Sequence, residues 1–317
     1  MMKRTIGIKI ASLLLAILMM MCATGCEFGF APPADSATPS DPSETMEPTS
    51  REPVKQDNPT DVKILNWNIW HESIYVGHST NYERLNKVVK LVNDYMPDVF
   101  MTQETVDWWC IYLMQNLDPV YTWAYTESNG HDELMPNLKY GPKTVPDETC
   151  NAIFYNKEKL ELLDNGIWWL STTPDKMSKF DSSWCFRITT WAKFRVIETG
   201  KEFVCVSTHL DNAGGGPDQA PVLLELIKRF EGMPMFLAGD FNARKSSEQM
   251  KHFFKYDQIV EASSVAQVNK MPASIDSIDW MFVTKNRIEV KKFEGIVKKE
   301  YNNASDHYAR YIEATIW

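Results

Sequence analysis

Gly239-Asp240-Phe241-Asn242 follows directly on the apolar run Met235-Phe236-Leu237-Ala238, and Gln103-Glu104 closes a second such run. Thr208-His209-Leu210-Asp211 closes a third, and Ser305-Asp306-His307 stands near the end of the sequence. A strand ending in such residues presents them at the carboxyl edge of its sheet, where open α/β sheets place their chemistry. Carboxylates and amides are hard oxygen donors, suited to Mg²⁺, Mn²⁺ or Ca²⁺ rather than zinc. Glu104 and Asp240 are the obvious anchors, with Asn68 and Asp306 as further oxygen ligands. A partly hydrated ion of this kind shares its coordination with substrate phosphate oxygens. Imidazoles add proton transfer, and His209 and His307 each lie in one of the clusters. Neighbours in a strand point to opposite faces, so Asp279, from Ile278-Asp279-Trp280, is a better partner for His307 than Asp306. His71, His78, His131 and His252 stand apart and read as structural or solvated.

The elements that must position these groups follow from periodicity. Val62 to Trp70 alternates as a first strand carrying Asn66 and Asn68, and Leu85, Val88, Val89, Val92 and Met96 keep helical spacing up to Pro97. Asp98 to Gln103 is the next strand and Trp108 to Gln115 a second helix. Strands are expected at Asn151 to Tyr155, Leu160 to Leu170, Ile188 to Val196 and Phe203 to Thr208. An amphipathic helix over Pro217 to Phe230, a strand over Met235 to Ala238 and a helix over Ser246 to Phe254 come next. Strands over Ile278 to Val283, Ile288 to Phe293 and Tyr308 to Ile316 complete the pattern. Strands outnumber helices in an irregular order, which argues against a doubly wound sheet. Two mixed sheets packed face to face with helices outside, one α/β sandwich, fit it better.

The 317 residues suffice for one large domain, and a net charge of -9 argues against a polycation that grips nucleic acid non-specifically. Residues 1–26 read as an export signal. Lys3, Arg4 and Lys9 precede an apolar run from Ile10 to Met21 that is short for a membrane span, and Ala23-Thr24-Gly25-Cys26 closes it. Small residues before a cysteine resemble the bacterial lipoprotein cleavage box, which implies that Cys26 is lipidated and the chain anchored outside the cytoplasm. Residues 27–61 are rich in Pro, Ser, Thr, Asp and Glu and read as a solvated tether, leaving residues 62–317 as the catalytic unit. Cys110, Cys150, Cys185 and Cys205 allow either disulfides or buried thiols, and no CxxC pair suggests structural zinc.

Asn66-Trp67-Asn68, Gln103-Glu104, Thr208-His209-Leu210, Gly239-Asp240-Phe241-Asn242, Ile278-Asp279 and Ser305-Asp306-His307 occur in the order of the endonuclease/exonuclease/phosphatase superfamily. The chain resembles that superfamily from Val62 to Trp317, which implies the deoxyribonuclease I-like fold, a four-layer sandwich of two mixed β-sheets flanked by helices. The resemblance also implies roles. Glu104 would be the central ligand of Mg²⁺ or Mn²⁺, with Asn68 assisting and Asp306 touching the metal or its waters. Asp240 would position or deprotonate the attacking water, and Asn242 would orient it. His307, held by Asp279, would stabilise the phosphoryl oxygens, and His209 would serve as leaving-group acid.

Trp169-Leu170-Ser171-Thr172-Thr173-Pro174-Asp175, Arg187 and Thr190-Trp191-Ala192 are similar to a set of bacterial members, as is Glu148, which could support the site. Those relatives carry a second histidine after the Thr-His-Leu-Asp motif and an arginine at the next helix start. Asn212 and a flexible run, Gly214-Gly215-Gly216-Pro217, stand here instead and set the pocket rim apart. Trp184 and Arg187 read either as contacts to a sugar or phosphate or as a packed ring and a surface pair, and Trp70 and Trp280 are further pocket candidates. The expected activity is a metal-dependent phosphoester hydrolase acting on phosphorylated small molecules or phosphodiesters, as a monomer with no protein partner. An extracellular nuclease, for which nucleic acid is the substrate, is the second reading and a sphingomyelinase-like phospholipase the third. An inactive binding protein on the same fold is the non-enzyme alternative.

Overall fold

The computed structural model describes residues 58–70, 78–105, 107–124, 151–273 and 277–317. Strand β1 (Thr60–Asn68) is apolar on both faces: Val62 and Ile64 join one core cluster, Leu65 and Trp67 another. A strand buried on both sides needs a layer above and below it. Helices α1 (His78–Tyr95) and α2 (Asp107–Asn116) supply the outer layer, packing Leu85, Val88, Val92, Trp109 and Leu113 against Leu65 and Trp67.

The first sheet joins β1 to β2 (Val99–Gln103), β3 (Tyr121–Trp123), β4 (Asn151–Asn156), β10 (Val268–Lys270), β12 (Ile288–Gly295) and β13 (Arg310–Ile316), in the order β10-β12-β13-β1-β2-β4-β3. The second contains β5 (Leu160–Trp169), β6 (Ile188–Val196), β7 (Glu202–His209), β8 (Met235–Asp240), β9 (Ile259–Glu261) and β11 (Asp279–Thr284), in the order β5-β6-β7-β8-β11-β9. Helices α3 (Gly216–Ile227) and α4 (Glu248–Lys255) cover its outer face through Ala220, Leu223, Ile227, Met250 and Phe253. A short helix α5 (Ala262–Val265), capped by the Glu261 side chain, links β9 to β10. The result is the expected four-layer α/β sandwich.

Each sheet has one central parallel pair, β1 with β2 and β7 with β8, crossed over by α1 and α3. Their inner-face rows share a pattern. Val62 and Ile64 lead to Asn66 and Asn68; Val99 and Met101 lead to Gln103; Phe203 and Cys205 lead to Ser207 and His209; Phe236 and Ala238 lead to Asp240. The antiparallel neighbours obey it in reverse, with Asp279 ahead of Met281 and Val283, and Arg310 ahead of Ile312 and Ala314. An apolar side chain at any of these ends would gain about 1.5–3 kcal/mol by burial. Every row gives that up at the same end of the sandwich, which marks the end where the chemistry lies.

The expected helices and longer strands are present within a few residues of their predicted ends. The three-residue strands β3, β9 and β10 were not foreseen, being too short to show a period. Cys110, Cys185 and Cys205 are buried and joined by no disulfide, while Cys150 lies outside the described residues.

Gly239 sets how closely β7 and β8 approach. Its φ is +156°, and a Cβ built there would fall 1.9 Å from the Thr208 carbonyl oxygen. Gly239→Ala is expected to destabilise the fold by about 3 kcal/mol, as overpacking and a disfavoured backbone combine. Denaturant unfolding of the two chains measures it.

Candidate active site

Strand register delivers the polar row ends to one place. Asn68 pairs with Gln103, His209 with Asp240, and Asp240 with Asp279. Beneath them lies a hydrogen-bonded floor that spans the two sheets. Gln103 Nε2 donates to Asn66 Oδ1 and to Ser207 Oγ, both at 2.9 Å, and Ser207 Oγ donates to the Thr102 carbonyl at 3.0 Å. Buried polar groups without partners would be costly, so this network fixes the separation of the sheets as well as filling it.

Above the floor, Asn68 Nδ2 donates to Glu104 Oε1 at 3.0 Å and Asp240 Oδ2 at 3.1 Å, tying the two carboxylates together. Its Oδ1 accepts the Trp70 N–H at 3.0 Å, so the amide turns its nitrogen, not its oxygen, toward the acids. Trp70, Glu104 and Asn242 all adopt positive φ, at 56°, 59° and 49°. Such backbone is unusual for bulky residues and costs about 1–3 kcal/mol each, and here it clusters where strands hand over to the site. Arg84 supports this rim, donating to the carbonyls of Ile69, Trp70 and Ala304 while its guanidinium lies 4.6 Å from the Trp70 ring. Burial and the charge of Asp279 push Asp240 up to about 7, against the pull of His307, the Asn242 N–H and Asn68.

The two imidazoles are held in opposite charge states. His307 Nδ1 donates to Asp279, whose oxygens lie at 3.0 and 3.1 Å, and Arg310 Nη1 donates to Asp279 Oδ2 at 2.9 Å. Burial works against the His307 charge, but Asp279, then Asp240 and Asp306, overcome it and push its pKa up to about 9. Burial also opposes the Asp279 charge, and Arg310 and His307 outweigh it to hold that carboxyl below its ordinary value. His209 is buried, and its Nδ1 accepts from Arg187 Nη1 at 3.1 Å. Burial first, and the Arg187 cation second, hold it well below the usual histidine range. With Nδ1 accepting, the proton sits on Nε2, which faces Asp240 Oδ2 at 3.6 Å and Glu104 Oε1 at 4.0 Å. In this state His209 presents an N–H donor to the two carboxylates.

The other expected residues fall in different places. Asn242 Nδ2 donates to the Leu210 carbonyl at 2.8 Å and its N–H to Asp240 Oδ1 at 2.7 Å. Asp306 is half exposed, with Oδ1 4.0 Å from His307 Nε2. Arg187 is buried on His209, whereas Trp184 is exposed. Trp280 Nε1 donates to the Ala243 carbonyl at 2.8 Å, bracing the chain after Asn242. Glu148 and Cys26 lie outside the described residues. The glycine run is not flexible as expected: buried Asp211 accepts the N–H groups of Ala213, Gly214 and Gly215 at 2.9, 3.0 and 3.1 Å. Arg310, Arg84 and this role of Asp211 were not read from the sequence. An arginine heading an otherwise apolar inner row was the available signal for Arg310.

Glu104, His209 and Asp240 each bring a ligand atom within 4.8 Å of the others, as do Asp240, Asp279 and His307. In the first group His209 Nε2 carries its proton, leaving two carboxylates as donors. Two hard oxygens and room for water suit an ion of the Mg²⁺ or Mn²⁺ type. In the second, Asp279 is already engaged by His307 and Arg310, which disfavours a cation there.

A deoxyribonuclease I-like sandwich with acids, amides and imidazoles at one end defines the structural class. The chain belongs to the Endonuclease/Exonuclease/phosphatase family, whose model matches residues 65–307. Members of this family are hydrolases of phosphoesters, typically dependent on a divalent metal. A family protein from Bacteroides thetaiotaomicron is similar with a TM-score of 0.69 and 22% identity, covering 82% of this chain and 100% of that one. One from Bacteroides vulgatus has a TM-score of 0.67 and 26% identity over 81% of this chain and 100% of its own. A mannosyl-6-phosphatase of Bacteroides thetaiotaomicron VPI-5482 has a TM-score of 0.66 and 22% identity, covering 80% and 99%. No curated protein sequence matches the chain.

The opposed charge states are directly measurable. Histidine NMR titration is expected to show His307 losing its proton near pH 9. In Asp279→Asn the main raising partner is gone, so that titration moves to lower pH.

Proposed function

We propose that the chain is a Mg²⁺- or Mn²⁺-dependent phosphoester hydrolase acting outside the cytoplasm on phosphorylated small molecules or phosphodiesters. The observation that carries this reading is Asp240 facing His307, with Oδ2 and Nε2 3.6 Å apart. One is a carboxyl raised to about 7 and the other an imidazole raised to about 9. Titratable neighbours driven to opposite tasks at neutral pH are the mark of an acid–base site. A divalent ion held by Glu104 and Asp240 would neutralise phosphate charge when bound.

Water attacks phosphorus as its proton passes to Asp240, while Asn242, fixed through Leu210, orients it. His209 donates its Nε2–H to a phosphoryl oxygen, and His307 stabilises the developing charge and gives its Nε2 proton to the leaving oxygen. The water oxygen–phosphorus bond forms as the ester bond breaks. Once product leaves, the proton on Asp240 returns to His307 across the gap between them. The net charge of -9 and the resemblance to a mannosyl-6-phosphatase favour small esters over long polyanions. Lipidation at Cys26 would hold the enzyme on the outer side of the cytoplasmic membrane, with residues 27–61 as spacer.

Phosphate release from monoesters and diesters, with Mg²⁺ or Mn²⁺ against a chelator control, tests the proposal. Turnover is expected only with metal, falling by about 10³-fold or more in Asp240→Ala. Glu104→Ala should chiefly raise the metal concentration required. Undiminished turnover in chelator would refute it. The signs of the two shifts also set a pH profile. The base must be deprotonated and the imidazole protonated, so the rate rises through about 7 and falls through about 9. Bound metal moves the rising limb lower, and Asp279→Asn moves the falling limb lower.

A further inference from the structure

Trp184 is 63% exposed, more than any other large hydrophobic side chain among the described residues, yet its backbone is fixed on both sides. Its N–H and that of Cys185 donate to Asp211 Oδ2 at 3.0 and 3.4 Å, on the same buried carboxylate that gathers the glycine run. Ser183, just before it, accepts Gln219 Nε2 on its Oγ at 3.0 Å and Lys179 Nζ on its carbonyl at 2.6 Å. Ser183 also packs so closely on Gly215 that a Cβ there would lie 2.0 Å from its Oγ. A loop held this firmly could bury its largest ring and instead presents it to solvent. An indole left out in that way gives up the burial such a ring ordinarily takes.

Short links along and across the chain bound how far that loop lies from the chemistry. Arg187, three residues further on, donates to His209, and three residues span at most about 10 Å. Asp211 ties the same loop to the site from the other direction, since the carbonyl of Leu210 beside it receives Asn242. Two residues before Trp184, Ser182 Oγ donates to Asp218 Oδ2, so the same loop carries a hydroxyl and meets a carboxylate. An exposed aromatic face on a loop that also carries acceptors fits a neutral polyhydroxylated ring, whose C–H groups meet the negative π-face while its hydroxyls donate to a carboxylate.

We propose that Trp184 is a platform on which the ring of a sugar phosphate stacks, making it the residue that sets leaving-group specificity. This rests on the phosphoester reading of the site. Asp211 is then a positioning residue that holds the platform without touching substrate.

The test compares the full chain with Trp184→Ala and Trp184→Phe on an aldohexose 6-phosphate, a nucleoside 5′-monophosphate and the ringless glycerol 3-phosphate. Trp184→Ala is expected to lower kcat/KM for the hexose ester about 10- to 100-fold, the scale of one lost ring-stacking contact, chiefly through KM. Glycerol 3-phosphate should change by less than about threefold, and Trp184→Phe should recover most of the loss. Equal losses on the ringed and ringless esters would overturn the platform, and a larger loss on the nucleotide than on the hexose would overturn the sugar assignment. Calorimetric binding of the hexose 6-phosphate to Asp240→Asn, with and without Trp184→Ala, reads the contact without turnover. If the wild-type chain hydrolyses no phosphoester while this binding still depends on Trp184, the hydrolase reading fails and the platform stands. Binding indifferent to Trp184 overturns the platform itself.

Discussion

The structure depends on one constraint: the space between its two sheets must be dry along most of its length and hydrogen-bonded at one end. Gln103, Asn66 and Ser207 meet that requirement by bonding across the sheets, where an apolar core would otherwise continue. Close packing makes the sheet separation nearly rigid, so the polar end inherits its geometry from the apolar remainder. Asn68, Asp240, His209 and Asp279 are therefore held by backbone register rather than by mobile loops. Short hydrogen bonds then align what the register has brought near.

The two imidazoles show how a shared environment can yield different chemistry. Both are largely buried, which favours the neutral ring in each. The partner at Nδ1 decides the outcome: an aspartate accepting from His307 keeps it cationic, and an arginine donating to His209 keeps it neutral. Arg310 completes the contrast, because Asp279 remains charged in a dry position only beside a cation. His307 thus meets an anion at Nδ1, whereas His209 meets a positive group there.

Much of this was legible in the sequence because a strand that turns polar at its end announces both its direction and its edge. Glu104, Asp240, His209 and His307 could be read in that way, and strand alternation singled out Asp279 rather than Asp306 for His307. What escaped were side chains whose meaning lies in a partner remote along the chain. Arg310 meets Asp279 from another strand, and Arg84 reaches carbonyls at Ile69 and Ala304. The loop carrying Trp184 and Arg187 has no periodicity, so nothing local told which side chain is buried and which exposed. The glycine run read as slack for a similar reason: its restraint comes from Asp211 and Ser183, outside the run itself.

The pairing of β1 with β13 has a consequence for the life of the molecule. Thr60 lies opposite Ile316 and Asn66 opposite Arg310, so the first and last strands of the sandwich are neighbours. The residues gathered at the reactive end run from Asn68 to Arg310, and some contacts there, such as Trp67 to the His307 carbonyl and Ser305 to the Asn68 carbonyl, are among the most distant in sequence. A nascent chain therefore has no assembled centre until the residues through Arg310 have emerged. Folding of this kind closes slowly, as long-range strand pairing must precede its own reward. The candidate site is likewise assembled only with the completed sandwich.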